Sequence, residues 1–186
     1  LKAHAVNLFK ISSDLRLLAS GPKAGLMEIM LPEVQAGSSI MPGKVNPVVC
    51  EAVGQAAMMV TAYDAAVTLA AQAGQLELNA FLPLVAEALL QSLSLLQSAD
   101  ETFRQRCVEG IRVNRRVCLE QVQRSWMTVT ALLPRLGYEK ATEVAREVRE
   151  TGRTVAEVVV SKGYLDEETL EALLSAEAMT ALGFGG

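Results

Sequence analysis

The residue types best suited to chemistry in this sequence lie together in residues 37–47, which read Gly-Ser-Ser-Ile-Met-Pro-Gly-Lys-Val-Asn-Pro. The neighbouring hydroxyls of Ser38 and Ser39, the ammonium of Lys44 and the amide of Asn46 all offer hydrogen-bond donors that can hold a small anion. The glycines and prolines exclude a regular helix or an interior strand. We therefore predict an anion-binding catalytic loop, and a plain surface linker between two helices is the alternative.

Helices are predicted to position this loop. The 186 residues are 51% hydrophobic but only 4% aromatic, a composition typical of packed helices rather than of a β-sandwich. Residues 1–20 show the helical repeat of apolar positions, residues 21–36 are irregular, and long helical runs start near Pro47 and Pro83. The predicted fold class is therefore all-α, a bundle of long helices.

The later part of the chain is predicted to form shorter helices. Asn114 suits the start of a helix, residues 125–133 continue the helical pattern, and Pro134 and Gly137 are expected to end it.

After Gly137 charged residues become dense, and Thr154 and Glu157 have the spacing of a capping box. We therefore predict a central helical bundle over residues 1–136 that carries the loop. A small C-terminal helical domain with a tail is predicted over residues 137–186.

The charge pattern argues against nucleic acid as a partner. The net charge is −4 and the isoelectric point is near 5.2, whereas nucleic-acid binding calls for a basic surface. The arginines of one run are interleaved with acids and are predicted to form a solvated or ion-paired helical face. They are Arg104, Arg106, Arg112, Arg115, Arg116 and Arg124.

Cysteine and histidine usage predicts neither a disulfide framework nor a metal site. Cys50, Cys107 and Cys118 show no Cys-x-x-Cys spacing, so a reducing compartment, the cytoplasm, is expected. The one histidine, His4, has no partner at metal-ligand spacing and is expected to be a plain surface or packed residue.

Residues 52–76 carry one charged side chain, Asp64. The length of this run invites a membrane-spanning interpretation, but a central Asp costs several kcal/mol in a bilayer and polar residues interrupt the pattern. A helix that is apolar all round belongs in the middle of a larger helical assembly. We therefore expect partner subunits to bury it, and no membrane is expected.

The eleven-residue run at 37–47 resembles the signature loop of the aspartase/fumarase superfamily and departs from that pattern nowhere. The resemblance extends to residues 14–22, to residues 74–79 and to the Gly-Tyr-Leu turn at 163–165, so it covers nearly the whole chain. It implies the superfamily's fold, a bundle of long helices with a small C-terminal helical domain.

The resemblance also implies roles for the loop residues. Ser38 corresponds to the general base, and Ser39, Lys44 and Asn46 correspond to ligands of the substrate carboxylates. No cofactor is implied. The superfamily's sites are assembled from three subunits of a homotetramer, and their remaining substrate ligands lie in an N-terminal half that this sequence lacks. The chain is therefore expected to be the C-terminal part of a subunit.

The reaction that the resemblance favours is the reversible deamination of L-aspartate to fumarate and ammonia, through an enediolate. Residues 31–36 and 73–76 resemble the aspartate-specific members of the superfamily, whereas residues 50–52 and 130–132 are closer to fumarases. Fumarate hydration is therefore one alternative. A non-catalytic oligomerisation fragment is another, although such a piece has no need to keep Ser38, Lys44 and Asn46 together.

Overall fold

The computed structural model describes residues 1–35 and 45–181, and the chain divides into two compact units, Leu1–Asn114 and Arg115–Gly186. In the first unit, three α-helices and two short strands follow one another with a 3₁₀ turn, Val108–Gly110, before the second strand. The elements are α1 (Lys2–Leu18), β1 (Ile29–Met30), α2 (Val48–Gln72), α3 (Leu82–Arg106) and β2 (Arg112–Val113). The predicted all-helical fold is confirmed, since these two-residue strands are the only sheet in the described part of the chain.

The core of the first unit is built on α2, which packs against both α1 and α3. Val53, Ala57 and Val60 recur at helical spacing on the buried face of α2. Gly54 also faces α1, and a Cβ there would lie 3.7 Å from the ring of Phe9, an ordinary van der Waals contact. The buried members of this core come from all three helices: Ala5, Leu8, Val49, Cys50, Val53, Ala57, Val60, Leu96, Ala99, Phe103 and Cys107.

The sequence predicted an irregular segment between α1 and the loop, but the structure contains a short strand there. Ile29 pairs with Val113 and Met30 with Arg112 in an antiparallel register, and the backbone N–H of Asn114 donates to the carbonyl of Glu28. These strands are too short to show a sequence period of two, so periodicity could not reveal them.

The second unit contains five α-helices in its described part. After α4 (Arg115–Arg124) comes a 3₁₀ segment, Trp126–Leu132. The later helices are α5 (Leu133–Thr151), α6 (Val155–Ser161), α7 (Glu167–Leu173) and α8 (Ala176–Thr180). Their core consists of Val129, Leu132, Leu136, Ala141, Val144, Val148, Val155, Val158, Val159 and Leu170.

The division between the units differs from the predicted boundary. The structure divides the chain after Asn114, whereas the change in sequence texture suggested residue 136. The reason is packing: Val129, Leu132 and Leu136 belong to the core of the second unit. The rise in charged residues after Gly137 does not coincide with the start of the second core, which already includes Val129.

Two local predictions near this boundary need correction. Residues 125–133 were predicted to continue an α-helix, yet Trp126–Leu132 form a 3₁₀ segment capped by Ser125, whose side chain accepts from the N–H of Met127. Pro134 does not end that helix; it lies in the first turn of α5, where its missing N–H costs nothing. Gly137 does interrupt helical geometry, with φ of 74°.

Side-chain caps mark the starts of two later helices, and the first confirms the predicted capping box. The Thr154 hydroxyl accepts from the Glu157 N–H at 3.2 Å while the Glu157 carboxylate accepts from the Thr154 N–H at 2.8 Å, a complete capping box. Asp166 accepts from the N–H of Thr169 at 2.8 Å and caps α7 in the same way.

By length and composition, one helical stretch of the described residues, Leu82–Gly110, could cross a membrane, and 22% of its most apolar window is buried. It is not residues 52–76, for which the sequence had raised that alternative. Core helices of bundles meet the same criterion, so the stretch is weak evidence for a membrane span.

Candidate functional site

The two ends of the predicted catalytic loop are held by different elements of the first unit. Upstream, the pairing of β1 with β2 leads into Leu31, which packs against the core. Downstream, Pro47 precedes α2, and its carbonyl accepts from the N–H of Glu51 at 3.0 Å. Both flanks of the loop are therefore held in place, one by a strand pair and the other by a helix start.

Of the predicted site residues, Asn46 lies in the described part of the chain, and Ser38, Ser39 and Lys44 lie outside it. Asn46 is partly buried. It lines an open cavity of about 780 Å³ together with Val45 and Pro47. A polar amide at the wall of a cavity of this size can bind a small carboxylate ligand.

Charged residues from three further elements line the same cavity. Arg16 comes from α1, Glu51 from α2 and Arg112 from β2. The Arg16 guanidinium lies 3.7 Å from the Glu51 carboxylate, and both side chains are roughly half exposed, so this ion pair is weak. Glu33 also lines the cavity, so the described wall carries two guanidinium groups and two carboxylates.

Sequence reasoning missed the arginines of this cavity. Arg112 was grouped with a solvated arginine run, because its place in β2 could not be seen from the sequence. Arg16 lies within residues 14–22, one of the segments that carry the family resemblance, and that was the available signal.

The described residues contain no group of three or more histidine, cysteine or acidic side chains placed to hold a metal ion. His4 instead faces Asp100, whose Oδ2 lies 2.8 Å from its Nε2, and both side chains are about half exposed. This contact ties the start of α1 to α3 on the surface, away from the residues that line the cavity around Asn46.

Family comparisons match both units of the chain. The family described as "Lyase" matches residues 1–62, and the one described as "Fumarase C C-terminus" matches residues 129–181. Aspartate ammonia-lyase of Corynebacterium glutamicum is 49% identical over 186 residues, and its counterpart in Pseudomonas aeruginosa is 51% identical over 181. The chain belongs to the aspartase/fumarase superfamily.

Solved structures of this superfamily agree with that assignment. A fumarate lyase:delta crystallin from Brucella melitensis, bound to cobalt, is 49% identical with a TM-score of 0.89 over 93% of the chain and 37% of its own length. A class II fumarase from Schistosoma mansoni is 34% identical with a TM-score of 0.83, over 94% of the chain and 36% of its own length.

The chain is much shorter than these superfamily members. It is matched in full by the Corynebacterium aspartate ammonia-lyase but spans 35% of that protein's length, and 97% of it spans 38% of the Pseudomonas relative. The described cavity around Asn46 is therefore formed by a chain that corresponds to little more than a third of such a subunit.

Proposed function

We propose that the whole protein to which this chain belongs is a lyase that converts L-aspartate to fumarate and ammonia. The main support for this activity is the identity of the chain's relatives: proteins 45 to 51% identical over nearly all of the chain are aspartate ammonia-lyases. The unbroken Gly-Ser-Ser-Ile-Met-Pro-Gly-Lys-Val-Asn-Pro run supports it, because a serine base and carboxylate ligands are what the reaction needs.

The chemical difficulty is removal of a weakly acidic proton from the carbon beside a carboxylate. Ser38, acting as an oxyanion, takes that proton, and the electron pair moves into the carboxylate to give an enediolate. The C–N bond then breaks, the nitrogen leaves as ammonia with the bonding electrons of that bond, and the C=C bond of fumarate forms. The enediolate carries more negative charge than the substrate, so cationic and amide donors stabilise it preferentially.

The other loop residues supply those donors in this mechanism. Lys44 contributes a point charge, Ser39 a hydroxyl and Asn46 an amide to the substrate carboxylates. The position of Asn46 on the wall of the 780 Å³ cavity, with Arg16 and Arg112 nearby, is the structural support for its part. In this mechanism cationic donors around Ser38 lower the pKa of its hydroxyl, which favours the oxyanion that acts as the base.

Fumarate hydratase activity is the second candidate. It is favoured by the match of residues 129–181 to the fumarase C C-terminus and by the class II fumarase structure. The same site would then remove water rather than ammonia. The lower identity of that fumarase, 34% against about 50% for the ammonia-lyases, places it second.

The same proposal includes the assembly and the compartment. The enzyme is a cytoplasmic homotetramer in which partner subunits complete the site around Ser38 and cover the apolar faces of α2 and α3. Large apolar side chains on those faces, each 42 to 62% exposed, support the assembly: Met58, Met59, Leu69, Leu84, Leu89, Leu90 and Leu93.

The experiment is a substrate comparison on the full-length protein. Fumarate formation is followed by its ultraviolet absorbance with L-aspartate and, separately, with L-malate at equal concentrations. Faster turnover of aspartate supports the ammonia-lyase activity. Turnover of malate alone would transfer the proposal to fumarate hydratase, and turnover of neither would leave the chain as part of a non-catalytic protein.

A further inference from the structure

Two buried cysteine thiols meet between the start of α2 and the end of α3. The Sγ atoms of Cys50 and Cys107 lie 3.6 Å apart, and each residue is 1% exposed. Both are free thiols. This pair could not be predicted from the sequence, because the two residues are 57 positions apart and share no motif.

Each cysteine lies at a helix end, where the backbone can move enough to change the distance between the sulfur atoms. Cys50 is the third residue of α2, and Cys107 directly follows α3 with a non-helical backbone. A disulfide requires an S–S distance of about 2.05 Å, so the two sulfur atoms must approach each other by about 1.5 Å. Helix ends open locally more readily than helix centres, so both the approach and access by a small oxidant are feasible.

The hydrogen bond between the thiols gives them different acidities. It raises the pKa of Cys50, and burial adds to that increase. The same hydrogen bond lowers the pKa of Cys107, against the effect of burial. Cys107 therefore supplies the thiolate, which is the reactive form, and Cys50 supplies the neighbouring thiol.

We propose that Cys50 and Cys107 are a redox modification site that forms a reversible disulfide in the presence of a peroxide. The Cys107 thiolate attacks one peroxide oxygen, the O–O bond breaks, and Cys107 becomes a sulfenic acid while hydroxide or alkoxide leaves. The Cys50 sulfur then attacks the sulfenic sulfur, the S–O bond breaks, and water leaves with the Cys50 proton. The two thiols lose two electrons in total, and the peroxide gains them.

The cross-link would act on the segment that leads to Asn46. Asn46 and Pro47 line the same small cavity as the two cysteines, and Cys50 follows them in the first turn of α2. The disulfide would fasten the start of α2 to the residue after α3. A dithiol reductant would release it by thiol–disulfide exchange.

Peptide mapping of the protein treated with hydrogen peroxide tests the site. Remaining thiols are alkylated before digestion with trypsin, which cleaves after Lys44, Arg104, Arg106 and Arg112 and so leaves Cys50 and Cys107 on separate peptides. We expect these two peptides joined, lighter by two hydrogen atoms than their sum and separated again by a dithiol. Cys118 should remain alkylated.

Matched variants separate the proposed order of steps from general oxidation. Cys118→Ala should leave the cross-link unchanged. Cys50→Ser keeps a hydroxyl donor beside Cys107 but cannot form a disulfide, so it should abolish the cross-link and leave a Cys107 sulfenic acid that a 1,3-dione reagent traps. The proposal is overturned if both buried thiols stay alkylated at a peroxide dose that oxidises Cys118, or if Cys118 enters the cross-link. It is also overturned if Cys107 is oxidised to sulfinic acid and no joined peptide forms. The peptide maps of the native sequence decide these outcomes even if the Cys50 variant does not fold.

Discussion

The side-chain amide of Asn79 donates a 2.9 Å hydrogen bond to the carbonyl oxygen of Ala70, in the last turn of α2. Its Oδ1 accepts a 2.8 Å bond from the backbone N–H of Phe81, the residue before α3. One side chain thus ties the end of one long helix to the start of the next, and its amide provides both the donor and the acceptor that this requires.

Replacing Asn79 should therefore loosen the α2–α3 connection. Asn79→Ala removes two hydrogen bonds from a partly buried site, and we expect the free energy of unfolding of the chain to fall by about 1–3 kcal/mol. Urea denaturation followed by circular dichroism measures it. Glu77→Ala, in the same turn, is the matched control with an expected change within about 0.5 kcal/mol. Equal effects of the two substitutions would show that Asn79 does not hold the turn.

The capping box of α6 offers a second stability test. Thr154→Ala removes the hydroxyl that accepts from the Glu157 N–H, and the free energy of unfolding should fall by about 1 kcal/mol. Thr154→Ser keeps the acceptor and should recover most of the loss. Thr142→Ala is the control, because that hydroxyl bonds to a carbonyl of its own helix. A Thr154→Ser variant as unstable as Thr154→Ala would contradict the role given to the hydroxyl.

A polar network joins α5 to the turn after α6. Lys162 donates to Glu143 at 2.8 Å and lies 2.9 Å from Glu147, while the Tyr164 hydroxyl donates to Glu143 at 2.7 Å. The hydrogen bond from Lys162, and then that from Tyr164, lowers the pKa of Glu143 below its ordinary value of 4.5. Bonds to Glu143 and Glu147 raise the pKa of Lys162.

These shifts predict the sign of a pH dependence. A carboxylate whose pKa is lower in the folded state stabilises the fold above its unfolded pKa, near 4.5, and loses that contribution as the pH falls through the folded value. Glu143→Gln should therefore lower the melting temperature at pH 7 and weaken its dependence on pH below about 4.5.

Melting temperatures of both proteins from pH 7 to pH 3 provide the measurement. Glu139→Gln, on the same helix, is the control. Parallel curves for Glu143→Gln and the unmodified chain would show that the network does not couple stability to pH.

Sequence reasoning succeeded where local rules determine structure. The starts of α2 and α3 followed from Pro47 and Pro83, and the capping box at Thr154 was visible as a spacing. Gly137 interrupts helical geometry because its φ of 74° suits glycine. Each of these features depends on residues within one turn of each other.

What the sequence did not show depends on tertiary contacts. The pairing of Ile29 with Val113, the contact of Cys50 with Cys107 and the cavity that both Arg112 and Asn46 line all join residues distant in sequence. Likewise, the assignment of Leu132 to the second core requires knowing what packs on it. The roles of Ser38, Ser39 and Lys44 stay predictions, since they lie outside the described residues.

The exposed apolar side chains of α3 predict self-association of the chain. Leu90 is 62% and Leu93 51% exposed, and covering such a surface is favourable in water. We expect the chain to sediment as oligomers, and Leu90→Glu with Leu93→Glu to shift it towards monomer. Tyr138→Glu, in the second unit and 78% exposed, is the control and should leave the distribution unchanged. A monomeric unmodified chain would contradict the expectation.

The chain by itself should also be inactive. It spans little more than a third of the ammonia-lyases it matches, and each missing charged contact to the substrate is worth roughly 1.5–3 kcal/mol. We therefore expect no fumarate from L-aspartate with the purified 186-residue chain. Turnover by this chain unaided would show that the site needs no residues from elsewhere.

The base assignment is the centre of the account, and the kcat of Ser38→Ala in the full-length protein tests it most directly. With L-aspartate, kcat should fall by about 10²- to 10⁴-fold, because the group that takes the proton is lost. Ser39→Ala, which removes a neighbouring ligand but not the base, should raise KM more than it lowers kcat. A Ser38→Ala enzyme with near-normal kcat would contradict the account.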